Sequence, residues 1–207
     1  MASILDLLNT QKGKELITKA SERTGESKEK VTGVIGIALP LLLGAMKRNI
    51  SSAEGKNSLN RALNEEKHGE EYLENLENID PQEMTSEGGK ILNHILGENQ
   101  NNIISTVATT MGMKNSNAAE ITKMLAPLLL SVLASQKRKE KVEEPGLENL
   151  ISSVLGSSGK FDDSLIETLL DNKGDINIIN DVKGMILGGG KTGKKDGGIL
   201  GGMLGGK

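Results

Sequence analysis

The chain has 207 residues, with 25 Lys and Arg against 28 Asp and Glu, so its formal net charge is −3. That balance argues against a dedicated nucleic-acid-binding protein, which normally carries a basic excess. With Tyr72 and Phe161 as the two aromatic residues, the chain cannot build the stacking platforms that bind bases or sugars. Cysteine is absent, which excludes disulfides, thiolate metal sites and cysteine nucleophiles.

The two most apolar runs are Val31–Met46 and Met124–Ala134. Each is shorter than the roughly 20 residues that cross a bilayer, and each contains a proline, Pro40 or Pro127. We therefore predict two buried core helices, with membrane insertion as the lesser alternative. The N-terminus has neither the basic start nor the long apolar stretch of a signal peptide, so we expect a soluble cytoplasmic protein.

The pattern of helix formers and capping residues predicts an all-α fold. No segment alternates apolar and polar residues for long, and Leu and Ile supply most apolar side chains, which disfavours strands. Gly25 ends one helix and Ser27 begins the next, which carries the first apolar run. The predicted helices span residues 3–8, 11–23, 27–48, 51 or 52 to 66, and 69–78, and a further helix begins at Asp80-Pro81.

An internal repeat relates the two halves of the chain. A gapless shift of 87 residues aligns Ile4-Leu5 with Ile91-Leu92, Gly25 with Gly112, and Pro40 with Pro127. Chance produces one such match more easily than several at a single offset. We therefore predict a multihelical bundle in a domain spanning residues 1–140. It is built from a tandem repeat of helix–helix–Pro-containing helix units at about 4–47 and 91–134.

The prolines of the two apolar helices need a physical explanation. A proline inside a helix removes one backbone hydrogen bond and clashes with the carbonyl four residues earlier, at a cost of about 3 kcal/mol. Its presence in both units predicts that a kink, or a break into two helices, belongs to the packing. We interpret Pro40 and Pro127 as buried bends, with a hinge or a partner groove as the alternative.

The composition changes after Ala134. The charged stretch 136–144 and the following Pro145-Gly146 predict a solvated helix end and a linker. Residues 145–187 predict a small helical extension, with helices near 147–155, 163–170 and 176–187. In residues 188–207, ten of twenty are glycine, so we predict a flexible tail; the alternative is a segment that orders on a partner or on another copy.

No set of residues supports catalysis. Residues 188–195 contain a Gly-Lys-Thr, but Met185 stands where a phosphate-binding loop needs a glycine, so we expect no nucleotide and no other cofactor. His94 and Glu98 lie one turn apart, which is weak evidence for a metal site, and a helix-end imidazole bonded to the backbone is the simpler interpretation. His68 is predicted to be exposed, and the glutamates of residues 65–77 to form a solvated face. We predict a protein without enzymatic activity.

Residues 171–181 resemble a calcium-binding loop. Such a loop places oxygen ligands at positions 1, 3, 5 and 7 and a glycine at position 6. The candidate ligands are Asp171, Asp175, Asn177 and Asp181. However, Lys173 puts a cation at position 3, and Ile176 replaces the glycine, so two of the strongest requirements fail. We predict a decayed loop without useful calcium affinity and assign no metal site.

Residues 86–133 resemble a bacterial family. A glycine before an "IL-x-H-I-hydrophobic-G" helix, a second helix ended by glycine, and an "L-A-P" apolar helix are typical of the YidB-like domains of unknown function. The matching positions are Gly89, Ile91, Leu92, His94, Ile95, Gly97, Gly112 and Leu125-Ala126-Pro127. The resemblance extends more loosely over residues 4–47, and such proteins often end in a calcium-like loop and a Gly-Leu tail. It implies a two-layer or bundle fold of helices and no particular activity.

These observations favour a non-enzymatic interaction or structural protein, with an unknown protein partner or self-association. The sequence leaves three alternatives open. They are a calcium-binding module that uses the 171–181 loop, a peripheral membrane-associated protein, and an enzyme of a kind that the motifs do not reveal.

Overall fold

A computed structural model of the protein describes residues 9–156, apart from the side chain of Lys67. All regular structure in this part of the chain is helical, which confirms the predicted all-α class. The α-helices are α1 (Gln11–Thr24), α2 (Lys28–Asn49), α3 (Ala53–Asn64), α4 (Glu70–Glu74), α5 (Pro81–Leu96), α6 (Gln100–Met111), α7 (Asn115–Lys139) and α8 (Leu147–Gly156). Short 3₁₀ turns occupy Glu66–His68, Leu76–Asn78, Gly97–Asn99 and Glu144–Gly146.

The helices begin and end where local chemistry favours it. The side chains of Ser27, Ser52 and Asp80 accept hydrogen bonds from backbone N–H groups in the first turns of α2, α3 and α5. These bonds satisfy amides that a helix leaves without internal partners. Gly25 and Gly112 follow α1 and α6 with φ of 69° and 59°, a left-handed conformation that glycine adopts without steric cost.

The long helices α2 and α7 form the centre of the protein. Each continues without a break through its proline, and both Pro40 and Pro127 are buried. By length and composition alone, both helices could cross a membrane, but 83% and 78% of their most apolar windows are buried inside the protein. That burial agrees with the interpretation of the apolar runs as core helices.

Similar landmarks recur in the two halves of the described chain. A shift of 87 residues carries α2 onto residues 115–136, which lie within α7, and carries the left-handed Gly25 onto the left-handed Gly112. Hydrogen bonds join each half of the chain to the glycine turn of the other half. Lys30 Nζ donates to the Gly112 carbonyl at 3.3 Å, and Asn117 Nδ2, which the shift aligns with Lys30, donates to the Thr24 carbonyl at 3.4 Å. The short helix predicted at residues 3–8 lies outside the described residues.

Helix α5 packs against α7 at one very close point. A Cβ atom built on Gly88 would lie 1.7 Å from the carbonyl oxygen of Lys123, so only glycine fits there. In a regular helix that carbonyl would accept the N–H of residue 127, but Pro127 has no N–H. Pro127 of α7 leaves the Lys123 carbonyl without its usual helical N–H partner, and Gly88 of α5 packs against the same carbonyl.

Helix α8 belongs to the same hydrophobic core. Its apolar side chains Leu147, Leu150 and Ile151 are buried, and the helix packs on α2 and α7. The first helix of the predicted extension thus docks on the main body. The other two helices of the extension, the calcium-like loop and the Gly-rich tail lie outside the described residues.

Candidate functional site

His68 is buried, which corrects the prediction that it is exposed. The 3₁₀ turn Glu66–His68 follows α3 and packs on α7, so the imidazole points inward and is only 3% exposed. Its Nε2 atom lies 3.8 Å from a carboxylate oxygen of Glu65 and 3.8 Å from one of Glu87. The backbone carbonyl of His68 accepts a hydrogen bond from Arg138 of α7 at 3.3 Å. Because a tertiary contact turns the residue inward, the local acidic sequence gave no signal of burial.

The glutamates of residues 65–77 form a solvated face, as predicted, and all of them are exposed. One of them anchors α4 to α7. Glu70 accepts hydrogen bonds from Ser135 Oγ and lies 3.1 Å from Lys139 Nζ. These bonds lower the pKa of the Glu70 carboxyl, first through Lys139 and then through Ser135.

A groove of about 850 Å³ runs between the segment 66–80 and helix α5. We call it the α5 groove. Its lining is Glu66, His68, Glu71, Tyr72, Asn75, Ile79, Asp80, Gln82, Glu83, Ser86, Glu87 and Lys90. Its two walls come from neighbouring stretches of sequence, which are joined at Ile79-Asp80. The residues facing the groove from α5 recur every three to four positions, along one face of the helix.

The α5 groove is strongly acidic. Five carboxylate side chains line it, against one lysine and the buried histidine. The lysine, Lys90, is itself occupied by Glu87, whose carboxylate oxygen lies 3.3 Å from its Nζ atom. The lining therefore carries a net negative charge, which attracts cations, although Lys19 and Arg23 lie at the Asp80 end and donate to the Ile79 carbonyl and to Gln82.

Tyr72 forms part of the wall of the α5 groove. Its side chain is partly buried, and its hydroxyl oxygen has no hydrogen-bond partner among the described residues. Burial, and then the nearby carboxylates of Glu83 and Glu87, raise the pKa of this phenol, so it stays protonated near neutral pH. The phenol therefore adds no charge to the wall of the groove, and its hydroxyl oxygen is buried.

A smaller apolar cleft continues from the α5 groove. It lies between α3 and α5 and has a volume of about 270 Å³. Its floor consists of Leu59, Ala62, Ile91, Ile95 and Leu130, and its polar rim of Glu65, His68, Glu87, Lys90 and His94. The cleft and the groove share His68, Glu87 and Lys90, so they form one continuous surface. Both histidines of the chain lie on this surface.

His94 lies in the last turn of α5 with an exposed side chain, as expected for a helix-end residue, and Glu98 is exposed as well. Within residues 9–156, no group of three His, Asp or Glu side chains is arranged to hold a metal ion. The calcium-loop candidates Asp171, Asp175, Asn177 and Asp181 lie outside the described residues, so the decayed loop stays a prediction.

Sequence reasoning did not find the α5 groove. The glutamates of residues 65–77 form a run in the sequence. The acidic residues that face them from α5 are separated by other residues and do not differ from those of an ordinary exposed helix face. The signal that could have indicated the groove is the charge on one face of α5: Glu83 and Glu87 are spaced by four residues and therefore neighbours. The fold adds the second wall.

Comparison with protein families identifies the family of the chain. A family model described as a bacterial protein of unknown function, DUF937, matches residues 6–136. The chain belongs to this family. The DUF937 match covers both walls of the α5 groove, and it is consistent with the YidB-like resemblance. No curated protein and no solved structure matches the chain.

Proposed function

We propose that this DUF937 protein is a non-enzymatic interaction protein that binds a basic segment of a protein partner in the α5 groove. One observation carries the proposal: an 850 Å³ groove lined by five carboxylates, one of which, Glu87, pairs with the single lysine of the lining and leaves four in excess. Its volume lies within the range of about 300–1,000 Å³ that is typical of ligand sites. We further propose that the protein acts in the cytoplasm and has no cofactor.

The charge of the groove favours a basic partner. Lys and Arg side chains of a bound segment would meet Glu66, Glu71 and Glu83, all of which are exposed. Exposed ion pairs contribute only about 0.2–1 kcal/mol each, so several are needed, and together they steer association more than they determine affinity.

The apolar cleft supplies the binding energy that exposed ion pairs alone do not provide. Binding energy at protein interfaces is concentrated in a few apolar or aromatic anchors that are buried in a pocket. The cleft, at about 270 Å³, takes one or two aliphatic side chains on a floor of Leu59, Ile91 and Leu130. The preferred partner therefore has basic residues next to a small group of aliphatic residues.

We also propose that residues 4–47 and 91–134 are a tandem repeat. The support is the common offset of 87 residues between α2 and α7, between the left-handed Gly25 and Gly112, and between the buried Pro40 and Pro127. The hydrogen bonds that Lys30 and Asn117 make to each other's turns fit two units related by an approximate two-fold axis. An experimental structure tests this: the two units should superpose with the same helix order, and a different order would contradict the repeat.

The binding proposal is tested by selection from a random peptide library displayed on phage, with the full chain as bait. Peptides that carry Lys or Arg next to aliphatic residues should be enriched. The same selection with the variant Glu66→Gln, Glu71→Gln, Glu83→Gln should enrich them at least tenfold less.

A matched control removes three other exposed carboxylates, in Glu22→Gln, Glu98→Gln, Glu148→Gln, none of which lines the α5 groove. This control should behave like the unmodified chain. Enrichment of peptides without basic residues, or equal loss with both triple variants, would contradict the proposed site.

A further inference from the structure

The C-terminal segment of this chain has the chemistry that the α5 groove would select. Residues 188–207 contain Lys191, Lys194 and Lys195 within five positions. Four residues after the last of these begins a pair of aliphatic doublets, Ile199-Leu200 and Met203-Leu204. Basic residues are followed by aliphatic ones, with glycines between them.

The groove and the cleft have the complementary order. The acidic α5 groove begins near Asp80 and passes into the apolar cleft at His68, Glu87 and Lys90. A segment lying along α5 therefore places lysines against Glu71 and Glu83 and its aliphatic residues over the cleft. The abundant glycines present little side-chain bulk, so the backbone of the segment can approach the walls closely.

The chain between the body and this segment is long enough to reach the groove. The described residues end at Gly156 of α8, and residues 157–187 lie between them and the segment. Extended, those residues span up to about 100 Å, and even as one continuous helix they would span about 45 Å. A compact body of this size has a radius of gyration of about 15 Å, so the far side of its surface is about 60 Å away and lies within the extended span.

We infer that residues 188–207 bind in the α5 groove and the apolar cleft of the same chain and act as an internal competitor for the basic partner. This inference rests on the proposed function, because it names the first segment that the proposed site would hold. A tethered segment has an effective concentration of the order of millimolar, so at micromolar protein the same chain outcompetes a second copy. An external partner must then displace the segment.

The absence of cysteine makes the test clean. The full-length double variant Ser86→Cys, Gly197→Cys places one thiol on the exposed rim of the groove and one between the lysines and the aliphatic doublets. A control, Thr109→Cys with Gly197→Cys, places the first thiol on exposed Thr109 of α6, a helix that contributes no residue to the groove. The effective concentration of each thiol pair is measured from disulfide formation in a glutathione redox buffer.

We expect the Ser86 pair to show an effective concentration at least ten times that of the Thr109 pair, with the disulfide inside one chain. The ratio should fall when NaCl is raised from about 0.05 to about 0.5 M, because salt screens exposed charges. Equal effective concentrations would overturn the inference. A disulfide-linked dimer as the main product would overturn the same-chain assignment.

Charge exchange separates recognition from simple proximity. Lys194→Glu with Lys195→Glu in the Ser86 pair should lower the effective concentration toward that of the control. Adding Glu71→Lys and Glu83→Lys should restore it, since the charges are then exchanged. Failure of the restoration, in variants whose helical circular dichroism and melting are unchanged, would overturn the inference.

The two proposals fail in different ways. In one outcome, the phage library enriches basic peptides on the full chain or on the Lys194→Glu, Lys195→Glu variant, but the Ser86 and Thr109 thiol pairs have equal effective concentrations. The proposed function then stands, and the internal competitor is wrong. If neither bait enriches basic peptides and no disulfide preference appears, both are wrong.

Discussion

Gly88 is the position where a single methyl group has the largest predictable effect. In Gly88→Ala the new Cβ would lie 1.7 Å from the Lys123 carbonyl oxygen and 2.5 Å from its carbon. These are backbone atoms of α7, so no side chain can rotate away. Real Cβ contacts begin near 3.0 Å, and α5 and α7 must therefore separate by about 1.3 Å at this point.

The cost follows from two opposing effects. Overpacking of a close-packed interface costs about 1–3 kcal/mol, and a rigid backbone contact belongs at the upper end of that range. Alanine in place of glycine in a helix returns about 1 kcal/mol. We therefore expect Gly88→Ala to lower the free energy of unfolding by about 2 kcal/mol, and Tm by about 4–8 °C.

The neighbouring Gly89 is the matched control. A Cβ there would meet only the flexible end of the Lys123 side chain, at 3.9 Å. Gly89→Ala should therefore stabilise the protein by up to about 1 kcal/mol through helix propensity alone. Both variants are measured by urea unfolding and by thermal melting followed at 222 nm. Equal effects of the two substitutions, or a Gly88→Ala protein as stable as the unmodified chain, would contradict the close contact between Gly88 and Lys123.

Three further outcomes are expected. Leu42→Ala and Leu129→Ala, at fully buried positions of the two core helices, should each lower the free energy of unfolding by about 2–5 kcal/mol in urea titrations; a loss below 1 kcal/mol would contradict the core assignment. Asn117, and then Lys30, lower the pKa of Glu26, so the stability that they provide is present above the ordinary pKa of 4.5 and is lost as pH falls below it. Asn117→Ala should make this acid-induced loss of Tm shallower. An unchanged pH profile of Tm would argue against the hydrogen bond between Asn117 and Glu26. Calorimetric titration of the full chain with millimolar calcium should give no heat of binding by the 171–181 loop, whereas micromolar affinity would overturn its interpretation as decayed.

Much of the fold could be predicted because its information is local. The capping side chains of Ser27, Ser52 and Asp80 and the glycine after α1 mark helix ends within a few residues of sequence. The apolar run of α2 indicates burial on all sides, because no polar face remains to meet water. The sequence did not decide between a kink and a break at Pro40 and Pro127. In the structure, α2 and α7 each continue through their proline.

The candidate site could be predicted far less well, because its information is tertiary. His68 lies in an acidic run that looks exposed, yet packing on α7 and the approach of Glu87 from α5 bury it. The α5 groove needs residues of both the segment 66–80 and α5, which the fold brings to one surface. The close contact of Gly88 with Lys123 joins residues 35 positions apart, and no local pattern indicates it.

In the proposed function, the α5 groove binds basic segments through its carboxylates. The most direct measurement is the Kd of one enriched basic peptide for the full-length Lys194→Glu, Lys195→Glu chain, which lacks the internal competitor, and for the same chain with Glu66→Gln, Glu71→Gln and Glu83→Gln added. Each Kd is measured over a range of NaCl concentrations. With about 0.2–1 kcal/mol from each exposed pair, we predict about a tenfold weaker Kd for the variant and a reduced dependence on salt. An unchanged Kd and an unchanged salt dependence in the variant would contradict the claim.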